Sequence, residues 1–251
     1  MRQKLKLFVC LSVLTVLTSA CSAVSSSEQN SALETYNRAV YNFNSKFNQY
    51  ILKPAAKGYR AITNTYVRER VRNALSNVKE PIFAVNHLLQ GEPVNSSKDI
   101  ARFAINTTLG LAGTYDVAGQ GWNLEKNKTT FDSTLQIWGV PDGPFFMLPF
   151  IGPSTPRAAV GLAADSALNP VYWATANDAN IHDKIYYPYV AVNAVSLYEA
   201  NMDVLDDLER NSVDFYATMK SAYLQSRKAN TDDDQTVSYD FGMDDEEDEE
   251  E

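Results

Sequence analysis

The stretch Ile100–Gly121, IARFAINTTLGLAGTYDVAGQG, decides how the rest of this chain is read. From Ser97 to Ala112 the charges after the first turn reduce to Arg102, and Ser96 and Asp99 stand at capping-box spacing, so the segment is expected to be helical. Its apolar residues Ile100, Phe103, Ala104, Ile105, Leu109, Leu111 and Ala112 wrap most of the circumference. Such a helix is buried in protein, in lipid, or in both. At 1.5 Å per residue it is roughly 24 Å long, short of the ~30 Å hydrocarbon core of a bilayer. It fits one leaflet and not a whole membrane.

On the N-terminal side, Pro81 is expected to open a short helix, IFAVNHLLQG, closed by Gly91. Before it, Val67, Val71, Ala74, Leu75 and Val78 keep helical spacing, with Arg68, Arg70 and Arg72 away from them. Those arginines fit solvated, salt-bridging charges or a face that touches lipid phosphates. The first helix of the body is expected to start at the capping box Ser31 and Glu34 and to end at Pro54. It carries Leu33, Tyr36, Val40, Phe43, Phe47 and Tyr50 on one stripe. Asn37, Asn42, Asn44 and Asn48 crowd the same helix, either as a solvated face or as polar surface inside the protein.

On the C-terminal side, Thr114–Thr130 is expected to be irregular, with Gly119 and Gly121 as breakers and Trp122 as a candidate interface anchor. Phe131–Trp138 allows two helical turns. The following GVPDGPFFMLPFIGPSTP has too much Pro and Gly for a regular helix, yet Phe145, Phe146, Met147, Leu148, Phe150 and Ile151 are apolar. It reads as a loop over the core, or as a short hairpin or loop gating an apolar opening that must lie at the membrane interface or be covered by helices. Ser154, Thr155 and Pro156 open a helix over Arg157–Leu168, stopped by Asn169 and Pro170, in which Asp165 is the one carboxylate. That group is expected at the surface or against a polar lumen. Val190–Leu208 is expected to be a longer amphipathic helix, and Ser212 to cap another that runs to about Arg227.

The two ends differ from this body. Residues 1–20 read as an export signal, with a basic start, an apolar run from Leu7 to Leu17, and small residues before Cys21. Small residues directly before a cysteine mark a bacterial lipoprotein, in which Cys21 becomes the acylated N-terminus, although Thr18 stands where Leu is usual. Ser22, rather than Asp, implies sorting to the outer membrane. Residues 21–30 form a short Ser-rich tether. From Asp232 to Glu251 there are twelve acidic residues and no basic one, so 229–251 is expected to be a disordered tail. The formal charge of -9 misleads. Without that tail and the leader's three basic residues, 19 basic residues stand against 19 acidic ones. A neutral body argues against a nucleic-acid partner. With Cys10 lost and Cys21 acylated no disulfide is expected, so the fold stands on packing.

No nucleophile elbow and no phosphate-cradling glycine loop occurs, and the only histidines are His87 and His182. The strongest enzyme case would set Ser133 against one of them. No catalysis and no cofactor is expected, and any transport runs downhill or on a partner's energy.

Several ordered motifs then carry a resemblance: Tyr41-Asn42-Phe43-Asn44; Glu80-Pro81 with Asn86 and Leu89-Gln90-Gly91; and Arg102-Phe103 with Asn106-Thr107, Gly110, Gly113 and Asp116-Val117-Ala118. Further on come Trp138-Gly139-Val140, Gly143-Pro144, Leu148-Pro149, Gly152-Pro153-Ser154-Thr155 and Ala222-Tyr223-Leu224-Gln225. Over residues 31–228 the chain resembles the MlaA family, also called VacJ, of outer-membrane lipoproteins that maintain lipid asymmetry. The resemblance implies a mainly α fold, a single helical ring-shaped domain embedded in the inner leaflet of the outer membrane with an amphipathic channel through it. Misplaced phospholipid enters that channel and leaves to a soluble periplasmic lipid carrier that feeds an inner-membrane ABC transporter, and a trimeric porin associates with the ring. The channel or polar-lumen candidates that follow are Asn42, Asn44, Arg102, Asn106, Asp116 and Asp165, and the channel-mouth candidates are Phe145, Phe146, Leu148 and Phe150. Arg102 and Asp116 fit a structural ion pair equally well. The family commonly has Arg-Asp where this chain has Arg157-Ala158, so Asp165 carries the acidic side of a lumen alone or the lumen is less acidic. A structural lipoprotein that scaffolds porins without moving lipid is the alternative.

Overall fold

The structure, a computed structural model, describes residues 26–232, with side chains over 31–229. The leader, the Cys21 anchor, residues 21–25 of the tether and residues 233–251 of the tail lie outside the described residues. The first helix, α1 (Ser26–Phe47), starts five residues before the expected capping box, so part of the expected tether is helical. Nor does the helical path end at Pro54. A π-helical turn, Asn48–Leu52, leads directly into α2 (Lys53–Ile62), and Phe47, Leu52 and Lys53 all keep right-handed helical angles. The π turn, in which Lys53 N bonds to the Asn48 carbonyl five residues back, accommodates a proline ring that donates no bond.

The next elements follow the expected order. Helices α3 (Thr65–Asn77) and α4 (Glu80–Leu89) occupy the anticipated positions, and Gly91 turns the chain at φ +81°. The deciding helix, α5 (Pro93–Thr108), is four residues displaced from its expected start at Ser97 and does not reach Ala112. Leu111 (φ 51°), Ala112 (φ 58°) and Gly113 (φ 84°) turn left-handed in succession, and a Cβ on Gly113 would lie 2.5 Å from the Asn77 side chain. The close passage of α3 therefore sets the end of α5. In the segment expected to be irregular, Val117–Trp122 forms a short helix, α6, despite its two glycines.

Helix α7 (Phe131–Ile137) is capped by Thr130, and the Pro/Gly-rich segment forms an antiparallel hairpin of β1 (Phe146–Leu148) and β2 (Gly152–Ser154), with Met147 opposite Pro153. The segment is a hairpin, and it lies over the core, with Phe145 and Met147 buried in it. Helix α8 (Pro156–Ala167) is capped by Thr155, whose Oγ1 accepts from Ala158 N at 3.2 Å, and α9 (Pro170–Thr175) follows. Helix α10 (Ala179–Asn211) is longer than expected and passes through Pro188. The final helix, α11 (Phe215–Asp232), is preceded by Asp214, which accepts from Ala217 N at 3.1 Å where Ser212 was expected to cap.

Contacts between elements run from α1 through the π turn to α2, then to α10, α3, α5, α4, α7 and α8. The chain itself closes the circuit, since β2 ends two residues before α8 and β1 packs against α1. The mainly α, ring-like domain is as expected. No helix among the described residues is long and apolar enough to cross a membrane.

What this ring buries is inverted relative to a water-soluble domain. Among the described residues an apolar core cluster, Phe145, Met147, Tyr216 and Tyr223, lies where α11 and the hairpin meet α1. Elsewhere Leu75, Ile82, Phe83 and Met202 are buried beside Glu80, His87, Asp99, Arg102, Asp132, Arg157, Glu199 and Arg227, while Ile62, Val94, Ile100, Leu109, Leu111, Ile137 and Ile151 are exposed. Large apolar side chains are ordinarily the most buried and charged ones the least. Here buried ion pairs join the elements, and many large apolar side chains face outward.

Candidate functional site

Helix α5 carries the inversion in its sequence. Ser96, Asp99, Arg102 and Asn106, spaced three and four residues apart, share one face and are buried. Arg102, 2% exposed, is the hub. Its Nε donates to Glu80 Oε1 at 3.0 Å, its Nη2 to the two Asp116 oxygens at 3.1 and 3.0 Å, and its Nη1 to the Leu124 carbonyl. Asn106 braces the same carboxylate, donating to Asp116 Oδ1 at 2.9 Å while its own Oδ1 accepts from Ala118 N at 2.9 Å. Gly119 N donates to Asp116 Oδ1 at 3.1 Å, and a Cβ at Gly119 would sit 2.7 Å from Asp116 Oδ2. The glycine expected to break structure is what lets the carboxylate cap α6.

Electrostatics separate the two acids. Burial pushes the Asp116 carboxyl up, but hydrogen bonds from Asn106, Arg102 and Gly119 outweigh it and hold the group below the usual carboxylate range. Burial dominates at Glu80 and raises its carboxyl despite Arg102, and Glu80 Oε2 has no hydrogen-bond partner. Behind them His87 Nδ1 lies 2.6 Å from Asp99 Oδ2. Ser133 bonds to Thr130 and His182 to Thr175, so each member of the weighed enzyme pairing has another partner.

A pH dependence follows. Because the folded Asp116 carboxyl titrates below its unfolded value of 3.8, its stabilisation is fully present above that value and is lost as pH falls through the depressed folded one. Asp116→Asn is expected to cost about 2 kcal/mol at pH 7, a figure reduced from the usual buried-pair cost for a group still partly in solvent. The gap to wild type closes below about pH 4. Thermal melts of both proteins from pH 7 to pH 3 check this, and a gap independent of pH contradicts it.

Asp165 is neither a free surface group nor an unpartnered one. It accepts from Asn86 Nδ2 at 2.9 Å and from Phe131 N at 3.1 Å, joining α8 to α4 and to the start of α7. Burial raises its carboxyl, opposed by those two donors. Nearby, Arg157 Nε donates to Asp132 Oδ1 at 2.9 Å and its Nη2 pairs with Asp142 Oδ1 at 3.0 Å, while Arg227 of α11 donates to Asp132 Oδ2 at 2.8 Å. These are the acids that Arg157 meets in the absence of one at Ala158.

The amides of α1 sort themselves by partner. Asn42 is exposed. Asn37 donates to Phe145 O at 3.3 Å and accepts from Met147 N at 2.8 Å, and Asn44 donates to Leu148 O at 2.9 Å and accepts from Phe150 N at 2.7 Å. Seven helical residues rise about 10.5 Å and three extended residues about 10 Å, so two amides two turns apart pair with one strand edge as another strand would. Of the mouth candidates, Phe145 is corrected to a core position, Phe146 and Leu148 are half-buried, and Phe150 is exposed, edge-on to Phe43 and Phe47 with centroids 5.0 and 4.9 Å away.

Asn44→Ala removes both of that side chain's bonds and is expected to lower stability by about 2 kcal/mol at roughly 1 kcal/mol per bond. Proteolysis at 149–151 should accelerate, with Asn42→Ala unchanged in both measurements. Equal behaviour of the two variants would contradict the bracing role.

The sequence pointed to Arg102, Asn106, Asp116 and Asp165 but not to Glu80 as the partner of Arg102, to Asn86 as that of Asp165, or to the separate pairing of Asp132 with Arg157. The polar repeat Ser96, Asp99, Arg102, Asn106 was the available signal for the buried face of α5.

A family model described as MlaA lipoprotein matches residues 29–230. An uncharacterized protein of Rickettsia felis is 39% identical over 197 residues, covering 78% of this chain and 76% of its own. The intermembrane phospholipid transport system lipoprotein MlaA of Escherichia coli K12 is 35% identical over 225 residues, covering 84% of this chain and 83% of its own. A solved structure, reported as "Structural basis for maintenance of bacterial outer membrane lipid asymmetry", superposes with a TM-score of 0.66 at 32% identity, covering 79% of this chain and 98% of that one.

Proposed function

We propose that this chain, which belongs to the MlaA lipoprotein family, removes mislocalised phospholipid from the outer leaflet of the outer membrane and passes it toward the periplasm. The observation that carries the reading is the inverted ring, with its ion pairs inside and Val94, Ile100, Leu109 and Leu111 outside. Apolar side chains exposed on that scale are stable against acyl chains, and a 16-residue helix such as α5 is long enough to cross one leaflet but not the whole bilayer. Acylation of Cys21 anchors the domain on the periplasmic side, and the ring is embedded in the inner leaflet.

In this reading the ring encloses an amphipathic channel. Arg102, Asn106 and Asp116 brace its polar wall, and Asn44 holds the hairpin. Asn42 and Asp165 contribute polar surface, and the exposed edge of Phe150, with Phe146 and Leu148 beside it, shapes the mouth. Lipid then moves to a soluble periplasmic carrier that supplies an inner-membrane ABC transporter, and a trimeric porin holds the ring in place. With no nucleotide-binding motif in the sequence, the step here is passive.

The test is transfer of fluorescent phosphatidylethanolamine from proteoliposomes holding the acylated protein to a soluble lipid-binding acceptor, without ATP. Transfer above that from protein-free liposomes is expected. Transfer no faster than from protein-free liposomes, with the protein folded and embedded, would leave the porin-scaffold role as the better account.

A further inference from the structure

Helix α10 runs antiparallel to α2, with Lys53 Nζ donating to Asp206 Oδ1 at 2.6 Å and Arg60 Nε to Glu199 Oε1 at 2.8 Å. In that register Tyr59, near the end of α2, lines one groove with Val192 and Val195, so the start of α10 projects past α2 as an arm. The arm packs on α9 instead. Tyr172 of α9 meets the rings of His182 and Tyr186 edge-on, each with centroids 5.5 Å apart, and His182 stacks on Tyr186 at 4.7 Å. Trp173 ties this cluster to the end of α8, its Nε1 donating to the Ala167 carbonyl at 2.6 Å.

Among the described residues only one face of the arm is covered. His182, Tyr186, Tyr189 and Asn193 are half-buried at helical spacing, while Ile181, Ile185, Tyr187, Val190 and Val192 around them are exposed. At 3.6 residues per turn the exposed set wraps more than half of the circumference. A partner protein covers one face of a helix, whereas a fluid apolar solvent reaches every face. From Ile185 to Tyr198 the chain carries no charge, so this surface is not built for water. Nor is the whole arm built for the middle of the hydrocarbon. Asp178, Asp183 and Lys184 stand at its tip, and Pro188 offers no N–H to the Lys184 carbonyl, which costs least where water is near. Between tip and apolar stretch lie exposed rings with polar edges, Trp173 and Tyr187, of the kind that gather at headgroup level.

We propose that α9 and the projecting arm of α10 form an aromatic anchor at the boundary between lipid headgroups and acyl chains. Trp173 and Tyr187 lie at the headgroup level, and Val190 and Val192 lie in the acyl chains beyond them. The anchor continues the outside of the ring, since α8, whose end Trp173 binds, exposes Val160 and Leu162. This inference rests on the reading of the ring as embedded in one leaflet and assigns the level at which the ring is held there.

The experiment uses the full-length acylated protein in phosphatidylcholine liposomes. Trp122→Phe and Trp138→Phe leave Trp173 as the single tryptophan. Its fluorescence is quenched in turn by lipid brominated near the headgroup end of the acyl chain, by lipid brominated near the methyl end, and by aqueous iodide. Quenching about twofold stronger by the shallow bromines than by the deep ones is expected. Stronger quenching by the deep bromines places the cluster inside the hydrocarbon and overturns the anchor. Quenching by iodide alone places the arm in water, and quenching by neither means that a protein covers it; each overturns the anchor too. Leu109→Trp, with the three native tryptophans replaced by phenylalanine, reads the α5 face with the same lipids. Lipid quenching there without shallow quenching at Trp173 overturns the anchor alone, and lipid quenching at neither position overturns the embedded ring with it. Tyr187→Ser, at an exposed position that leaves the fold intact, checks the claim with all tryptophans in place. In Cys21→Ala protein it is expected to reduce flotation with liposomes about fivefold, and unchanged flotation overturns the anchor.

Discussion

Arg102→Ala is expected to cost the ring about 3–5 kcal/mol, the range seen when one member of a buried pair is removed and its partner is left without a counter-charge. The substitution strands Glu80 with neither of its oxygens bonded and releases Asp116 from the two bonds that orient it toward α6. Three segments lose their common tie: α4 through Glu80, the start of α6 through Asp116, and the chain at Leu124 through its carbonyl. A domain is stable by only about 5–15 kcal/mol, so this variant should be near its unfolding limit. Pairing Arg102→Met with Glu80→Gln is expected to recover part of the loss, since no unpartnered charge then remains at Glu80. Urea denaturation in detergent reads both effects. A loss below about 1 kcal/mol for Arg102→Ala would be that of a solvated pair and would contradict the hub role.

The second large effect concerns the outside of the same helix. Val94→Asp, Ile100→Asp and Leu109→Asp each put a carboxylate where an apolar side chain is exposed. At the centre of the hydrocarbon such a charge costs about 2.5–3.5 kcal/mol, which is on the order of a hundredfold in partitioning per site. Exposed positions tolerate substitution within about 0.5 kcal/mol, so stability in detergent should barely change. Flotation of Cys21→Ala protein with liposomes isolates embedding from the acyl anchor, and the triple variant is expected to remain with the soluble fraction. Flotation equal to that of the parent would mean that this face does not meet acyl chains. Unfolding in detergent would mean that it is core.

The two expectations explain what was legible in the sequence. Period and caps are local, so α3, α4, α7 and α8 were readable, down to Thr155 as a cap. Pro54 misled as a helix end because the remedy is not local. Pro54 is accommodated by a π turn before it, and Pro188 lies within a helix held along its length by other contacts, including Lys53 to Asp206 at 2.6 Å. Helix α6 was missed because the use of Gly119 depends on an Asp116 carboxylate that Arg102 orients from a different helix.

At the site the sequence identified polar residues but not their direction. Arg102, Asn106 and Asp116 stood out as charges and amides within apolar surroundings, and the ion pair between Arg102 and Asp116 was foreseen as one of two options. Glu80, 22 residues away in sequence, carried no signal that it closes the same network. Asn37 and Asn44 look like Asn42 in sequence. What separates them is the seven-residue spacing that matches a strand edge more than a hundred residues downstream.

The most direct test of the account is phospholipid exposure in the outer leaflet of cells lacking this protein, measured beside cells complemented with the wild type, with Cys21→Ala and with the triple aspartate variant of α5. The expected result is that deletion exposes phospholipid, the wild type reverses it and the two variants do not. Unchanged exposure on deletion, with the protein confirmed absent and no second copy of its activity in the cell, would contradict lipid removal.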